Sequence, residues 1–386
     1  MTPKELRGKV AIVGASESDV IGFRPDVSDL GLHAEAASNA LRESGLTKDD
    51  VDGLFTAGIS SAQLGEYLGI NPRYSDGTSV GGCSFILHVE HAMLALASGV
   101  INVALITHGE SGKSRISNIP SQSESSPQAQ FEKPFGTIGP PTQFSLPATR
   151  HMHKYGTTRE QMAEVSVATR KWASMTPNAM MKDEISITDV LNSRPICWPF
   201  SLLMCCLVTD AGGAIVMTRA DMAKSLQKPP VYILGTGEAT EHNMVSMMQD
   251  MTSSKAARIS GRAAFDMSGI SHTDIDVAQL YDAFAFTPML ALEDLGFVGK
   301  GESGAFVSGQ RTAPEGDFPM NTNGGGLSFT HPGMYGIFTL IELTRQLRGE
   351  AGDRQVPQAN VGIAHGPGGM FSAAGTLIAG NESTLT

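Results

Sequence analysis

No two of the four cysteines (Cys83, Cys197, Cys205 and Cys206) are spaced Cys-x-x-Cys, so the sequence carries no zinc-ribbon or redox-dithiol motif. Positive charge is scarce: 28 Lys and Arg stand against 39 Asp and Glu, a net charge of −11. That balance argues against nucleic acid or an anionic membrane as a general partner. The stretch from Met1 to Lys9 is polar and lacks the apolar core of a signal peptide. No run approaches the roughly 18 apolar residues of a membrane span. These absences describe a cytoplasmic protein with reduced thiols.

What is present is apolar and glycine-rich. Hydrophobic residues make up 41% of the chain, charged residues 17%, and glycine occurs 43 times, enough for a large core with tight turns between its elements. Short apolar runs alternate with helical patterns. Val10–Gly14, Val51–Phe55, Asn102–Gly109 and Ala214–Met217 read as strands, and Leu32–Ser44 as a helix. The residues after Cys83 are apolar nearly all round as far as Gly99, which predicts a buried helix. Such alternation means α/β layers. From Ser111 to Pro147, Ser, Pro, Gln and Gly dominate, as in an excursion over the surface, and helical pattern returns at Arg159–Ala173.

The second part of the chain repeats the first. Val231–Gly235 echoes Val10–Gly14, Ile275-Asp276 echoes Val51-Asp52, Gly325–Phe329 echoes Gly81–Phe85, and Asn360–Gly366 echoes Asn102–Gly109. A duplication of this length implies two similar α/β halves, 1–228 and 229–386, with a site at their junction.

Four features carry chemistry. Cys83 follows Gly81-Gly82 at a helix start, where the macrodipole favours thiolate. His331 lies in Thr-His-Pro-Gly, and His365 opens His-Gly-Pro-Gly-Gly, whose amides read as an anion-binding nest. Tyr281-Asp282-Ala283-Phe284 closes a strand. A thiol with a histidine makes a nucleophile, and clustered amides hold an oxyanion. Cys197, Cys205 and Cys206 read as core residues.

Together these stretches resemble the thiolase superfamily, in particular its sterol-carrier-protein and lipid-transfer branch. The resemblance spans nearly the whole chain, through Gly-Gly-Cys-Ser, Asp210–Gly213, Tyr281–Phe284, Glu293–Phe297, Gly324–Leu327 with His331-Pro332, and His365–Gly369. It implies two βαβαβαββ halves in a five-layered α-β-α-β-α core, with a loop domain at about 111–200. It makes Cys83 the nucleophile, His331 its base, His365 the candidate proton donor to the leaving enolate, and Tyr281 part of an oxyanion site. Gly82, Gly368 and Gly369 would line the oxyanion hole. Coenzyme A would be a co-substrate, its phosphates received by residues among Lys113, Arg115, Lys133 and Arg150. No resident cofactor or metal is expected.

The resemblance also marks departures. Thiolases place the nucleophile one residue further from the glycine that ends the helix, so Cys83 sits one position late. The second, acid–base cysteine of many thiolases, found where His365 or Ala283 stands here, is missing. Thiolysis of a 3-oxoacyl-CoA is nevertheless the expected reaction, with 2-benzoylsuccinyl-CoA of anaerobic toluene breakdown as substrate. The expected partners are a second copy and a small subunit with a zinc ribbon and an OB-like fold. Two alternatives stay open: a tyrosine-dependent retro-aldolase of a steroid side-chain acyl-CoA, and a non-catalytic acyl-CoA-binding scaffold.

Overall fold

The computed structural model describes residues 2–115 and 125–385. Part of the Ser111–Pro147 excursion therefore lies outside the described residues. In the first half β1 (Val10–Glu17) is followed by α1 (Asp29–Ser44), β2 (Gly53–Thr56), β3 (Tyr74–Asp76), α2 (Ser84–Ala97), β4 (Val103–Ser111) and, beyond the loop domain, β5 (Asp210–Arg219). In the second half β6 (Val231–Thr240) leads to α3 (Lys255–Ser268), β7 (Val277–Leu280), α4 (Gly336–Arg348), β8 (Val361–Gly368) and β9 (Ala373–Gly380). The strands form one nine-stranded sheet in the order β3-β2-β4-β5-β1-β6-β9-β8-β7.

The two halves meet at a short antiparallel pairing of Ala11 and Ile12 with Tyr232 and Val231. Helices α2 and α4 each touch both half-sheets, α1 covers the outer face of the first half, and α3 that of the second. This is the thiolase fold with its helix–sheet–helix–sheet–helix layers. Burial of most of α2 follows from its central place: Phe85, Ile86, Val89, Ala92, Met93 and Leu96 are all enclosed, and Leu94 alone of its large apolar residues is exposed. The apolar run read from the sequence thus has its physical cause.

The duplication is visible in matched polar roles. Asp52 accepts the Asn102 and Val103 amides, and Asp276 accepts those of Asn360 and Val361. Each carboxylate therefore ties the foot of one strand to its parallel neighbour. One echo does not hold. Gly325–Phe329 is a single π-helical turn, and the counterpart of α2 begins only at Gly336. Pro332 and Gly333 (φ +153°) interrupt the chain between them. The strand matching β3 is reduced to one bridge between Ala278 and Met320. In the loop domain the excursion ends earlier than its composition suggests, because a helix begins at Pro140 and runs to Tyr155. Arg159–Ser174 is helical, as its pattern implies.

A buried polar peg holds the second half around the site. Asn321 (φ +55°) accepts the Leu280 amide and donates to the Leu280 carbonyl, each at 2.8 Å. The Thr322 hydroxyl donates to Glu342 at 2.7 Å, and Asn323 accepts from the Gly325 amide and the Tyr335 hydroxyl. Glu342 is fully buried on α4 and is paired with Arg354 through two hydrogen bonds at 3.0 and 2.9 Å. Removing one partner of such a pair leaves a buried charge uncompensated, at a cost of roughly 3–5 kcal/mol. Arg354→Ala should lower the urea midpoint accordingly, whereas Arg354→Ala combined with Glu342→Gln should recover part of the loss.

Candidate active site

Tyr281 follows β7, and His331 precedes α4 in the segment that the polar peg fixes. The Tyr281 hydroxyl and His331 Nε2 are joined by a hydrogen bond of 2.8 Å, with both residues buried. Tyr335 completes the cluster. Its ring lies 5.5 Å from that of Tyr281, stacks over His331 at 6.3 Å, and its hydroxyl is anchored on Asn323.

Burial sets the charge state. It pushes His331 down to about 4 and the Tyr281 phenol well up, with the nearby Cys206 thiol adding to the rise. The pair is therefore neutral at pH 7 and can pass a proton without separating charge in the resting state. Burial also lifts Asp282 to about 7. Its carboxyl accepts the Gly326 amide at 2.6 Å and the Leu327 amide at 3.3 Å, fixing the turn that leads to His331.

Cys83 sits one residue before α2, as expected, but its thiol is fully buried among Val80, Leu87 and Ala373. Desolvation outweighs the helix dipole, and the thiol is pushed up to about 12 rather than down. Among the described residues no histidine lies within hydrogen-bonding distance of its sulfur, so His331 is engaged with Tyr281 instead. The residue aimed at Tyr281 is Gly82. A Cβ there would fall 2.2 Å from Tyr281 Cε1 and 2.9 Å from its hydroxyl. Position 82 is also where the family spacing puts its nucleophile, and the tyrosine occupies that space.

His365 does not join the cluster. It lies on β8, where successive side chains alternate between faces. A Cβ on Gly366 would meet the Tyr281 ring and one on Gly368 would meet Cys83 Sγ, so the even positions face the centre. His365 faces outward, with Nδ1 and the Thr376 hydroxyl joined at 2.8 Å, and Thr376 in turn bonded to Ser260 of α3. The expected nest is likewise replaced by strand through Gly368 and a turn at Gly369 (φ +56°). Gly369 packs backbone to backbone on Gly81, since a Cβ on Gly81 would lie 2.3 Å from the Gly369 nitrogen. A cavity of about 340 Å³ opens over these two turns, lined in part by Val80, Gln143, His242 and Ser372.

Lys113 stacks on Phe23 at 5.8 Å, while Lys133 and Arg150 lie exposed in the loop domain. Cys197, Cys205 and Cys206 are only half-buried rather than core. Tyr335 and Asn323 went unread in the sequence; the signal available was a tyrosine four residues beyond His331, at the start of a helix. Among the described residues no cluster of three His, Cys, Asp or Glu side chains is placed to hold a metal ion, and no helix is long and apolar enough to cross a membrane.

Residues 237–381 match the thiolase C-terminal domain-like family. An acetyl-CoA acetyltransferase of Methanothermobacter thermautotrophicus is 32% identical over 96% of this chain and 98% of its own. A 17-hydroxy-3-oxo-4-pregnene-20-carboxyl-CoA lyase of Mycobacterium tuberculosis is 33% identical over 89% of this chain and 92% of its own. The solved Ltp2–ChsH2(DUF35) aldolase superposes with a TM-score of 0.91 at 28% identity, over 99% of this chain and 100% of that one. With the layered fold and the central cluster, these likenesses establish that the chain belongs to the thiolase family of acyltransferase enzymes.

Proposed function

We propose that the chain acts on an acyl-CoA, breaking the bond between its α and β carbons, and that the step runs as a retro-aldol cleavage. The observation that carries this is the Tyr281–His331 hydrogen bond, which fills the space facing Gly82 where a thiol nucleophile would stand. The β-hydroxyl proton passes to the Tyr281 oxygen as the phenol proton moves to His331 Nε2. The hydroxyl electron pair forms the carbonyl of the departing ketone or aldehyde, and the Cα–Cβ pair moves to Cα as a thioester enolate. A positioned acid–base group of this kind is worth roughly 100- to 10,000-fold in rate. The lyase and aldolase relatives lend support, since their names describe the same bond cleavage.

Thiolysis through Cys83 is a second reading, favoured by the thiol at the head of α2 beside Gly368. It would need the thiol brought to a base, and 2-benzoylsuccinyl-CoA remains its proposed substrate. The ChsH2(DUF35) component of the similar aldolase supports a small partner subunit, for which a zinc ribbon and OB-like fold are proposed beside a homodimeric core. Coenzyme A is substrate or product in either case, and we assign no resident cofactor. The cytoplasm is the proposed setting.

A branched 3-hydroxyacyl-CoA, followed by mass spectrometry with and without free coenzyme A, separates the two reactions. Retro-aldol cleavage should proceed without coenzyme A, persist in Cys83→Ala, and fall roughly 100- to 10,000-fold in Tyr281→Phe. Turnover that requires coenzyme A and leaves an acyl group on Cys83 would move the assignment to thiolysis.

Because His331 titrates at about 4, its neutral form persists well below the usual histidine range. The acid limb of kcat/KM should therefore fall near pH 4, with activity held from neutrality down to about pH 5. A limb near 6.5, reversible on return to neutral pH, would contradict His331 as the base.

A further inference from the structure

Retro-aldol cleavage takes one proton from the β-oxygen and must return one to Cα. His365 faces α3, both oxygens of Asp282 hold backbone amides, and the Tyr335 hydroxyl is committed to Asn323. On β4, His108 and Glu110 share the face that looks into the central layer. His108 packs on Phe85 of α2 and Phe338 of α4, and it is fully buried with neither ring nitrogen bonded. Glu110 lies against the backbone next to His331: a Cβ on Gly333 would fall 2.1 Å from Glu110 Oε1 and 2.4 Å from Oε2. Its Oε2 is buried without a hydrogen-bond partner, 3.6 Å from His108 Nε2. The Met334 backbone hydrogen-bonds the carboxyl, but one buried oxygen beside an imidazole with both nitrogens unbonded is costly as structure alone.

We propose that Glu110, backed by His108, is the acid that protonates the enolate carbon, an assignment that rests on the Cα–Cβ cleavage proposed above. The Glu110 O–H bond breaks, its proton goes to Cα, and the bonding pair stays on the carboxylate. The enolate pair forms the new C–H bond as the thioester carbonyl is restored. The carboxylate regains a proton from the His331 imidazolium, which lies across Pro332-Gly333 and holds the proton of the β-hydroxyl. The cycle then closes with no net charge. The groups facing Glu110 are His108 on its own strand, Asp29 on α1, the Met334 backbone and, across the site, Tyr281. Burial, with the Asp29 charge beside it, lifts Glu110 to about 7, where an acid is useful at neutral pH. Its side chain retains 22% exposure, so its proton can exchange with solvent.

The test is exchange of the α-hydrogens of acetyl-CoA and propionyl-CoA in D2O, the reverse of the protonation step. Wild-type exchange should rise with pH through about 7, as the carboxylate that removes the proton forms. Glu110→Gln should lose roughly 100-fold or more of it with melting temperature and acyl-CoA binding retained, whereas Tyr281→Phe should keep exchange while losing cleavage. Cleavage by the wild type with undiminished exchange in Glu110→Gln would overturn the role of Glu110 and leave the reaction standing. Exchange that depends on Glu110 without cleavage of any hydroxyacyl-CoA would support Glu110 and sink the retro-aldol assignment. If Glu110→Gln fails to fold, the wild-type profile decides: exchange that is absent, or flat through pH 7, overturns the proposal.

Discussion

A missing side chain governs the centre of this molecule. Gly82 stands where the thiolase spacing puts its nucleophile, and the Tyr281 ring lies so close that even a methyl group there would overlap it. Gly336 makes the matching concession from α4, since a Cβ on it would lie 2.3 Å from the Gly82 carbonyl, whose oxygen accepts the Gly336 amide at 3.0 Å. The heads of the two central helices therefore meet through backbone, and side-chain chemistry is displaced to their rims. Tyr281 and His331 occupy one rim. Cys83, turned toward Gly368, occupies another. A side chain at position 82 and a tyrosine at 281 exclude each other, so the choice between nucleophilic and proton-transfer chemistry is a matter of volume.

Electrostatics follows from that packing. Burial pushes the groups around the site toward their neutral forms: His331 and His108 down, Asp282 and Glu110 up, Cys83 up. A thiolate nucleophile would have to be created against this gradient. Proton transfer between neutral partners runs with it. The same burial that disfavours Cys83 as a nucleophile suits the Tyr281–His331 pair, because a phenol and an unprotonated imidazole are both stable without water.

Much of this was legible in the chain. The matched Asp52 and Asp276, the all-round apolar helix after Cys83, and the Tyr281 and His331 motifs each map onto the element the sequence implied. What escaped was direction. Position 82 and position 83 are adjacent letters, yet at a helix entry they point to different neighbours, and a one-residue displacement moves a thiol from the Tyr281 side to the Gly368 side. His365 failed for a related reason. His-Gly-Pro-Gly-Gly has no apolar alternation from which a strand period can be read, so its extended course and outward histidine were hidden behind a composition typical of loops. The Gly-Gly echo at 325 misled because local identity outlasts structural register once Pro332 and Gly333 intervene.

The polar peg at Asn321, Thr322 and Asn323 shows how the second half holds Tyr281 and Tyr335 in place. Nothing in three consecutive small polar residues announces a role, and each would pass for a turn. Buried, they connect the end of β7, the Glu342–Arg354 pair and the Tyr335 hydroxyl, so the Tyr281 backbone and the Tyr335 ring are set by one continuous hydrogen-bonded segment. Because the side chains of all three residues are hydrogen-bonded, the segment has few alternative arrangements. Rigid placement is what a neutral proton relay needs, since its hydrogen bonds weaken steeply with misalignment. The first half supplies the complementary part: a glycine surface at 81–82 against which that relay is held, and, from β4, His108 and Glu110.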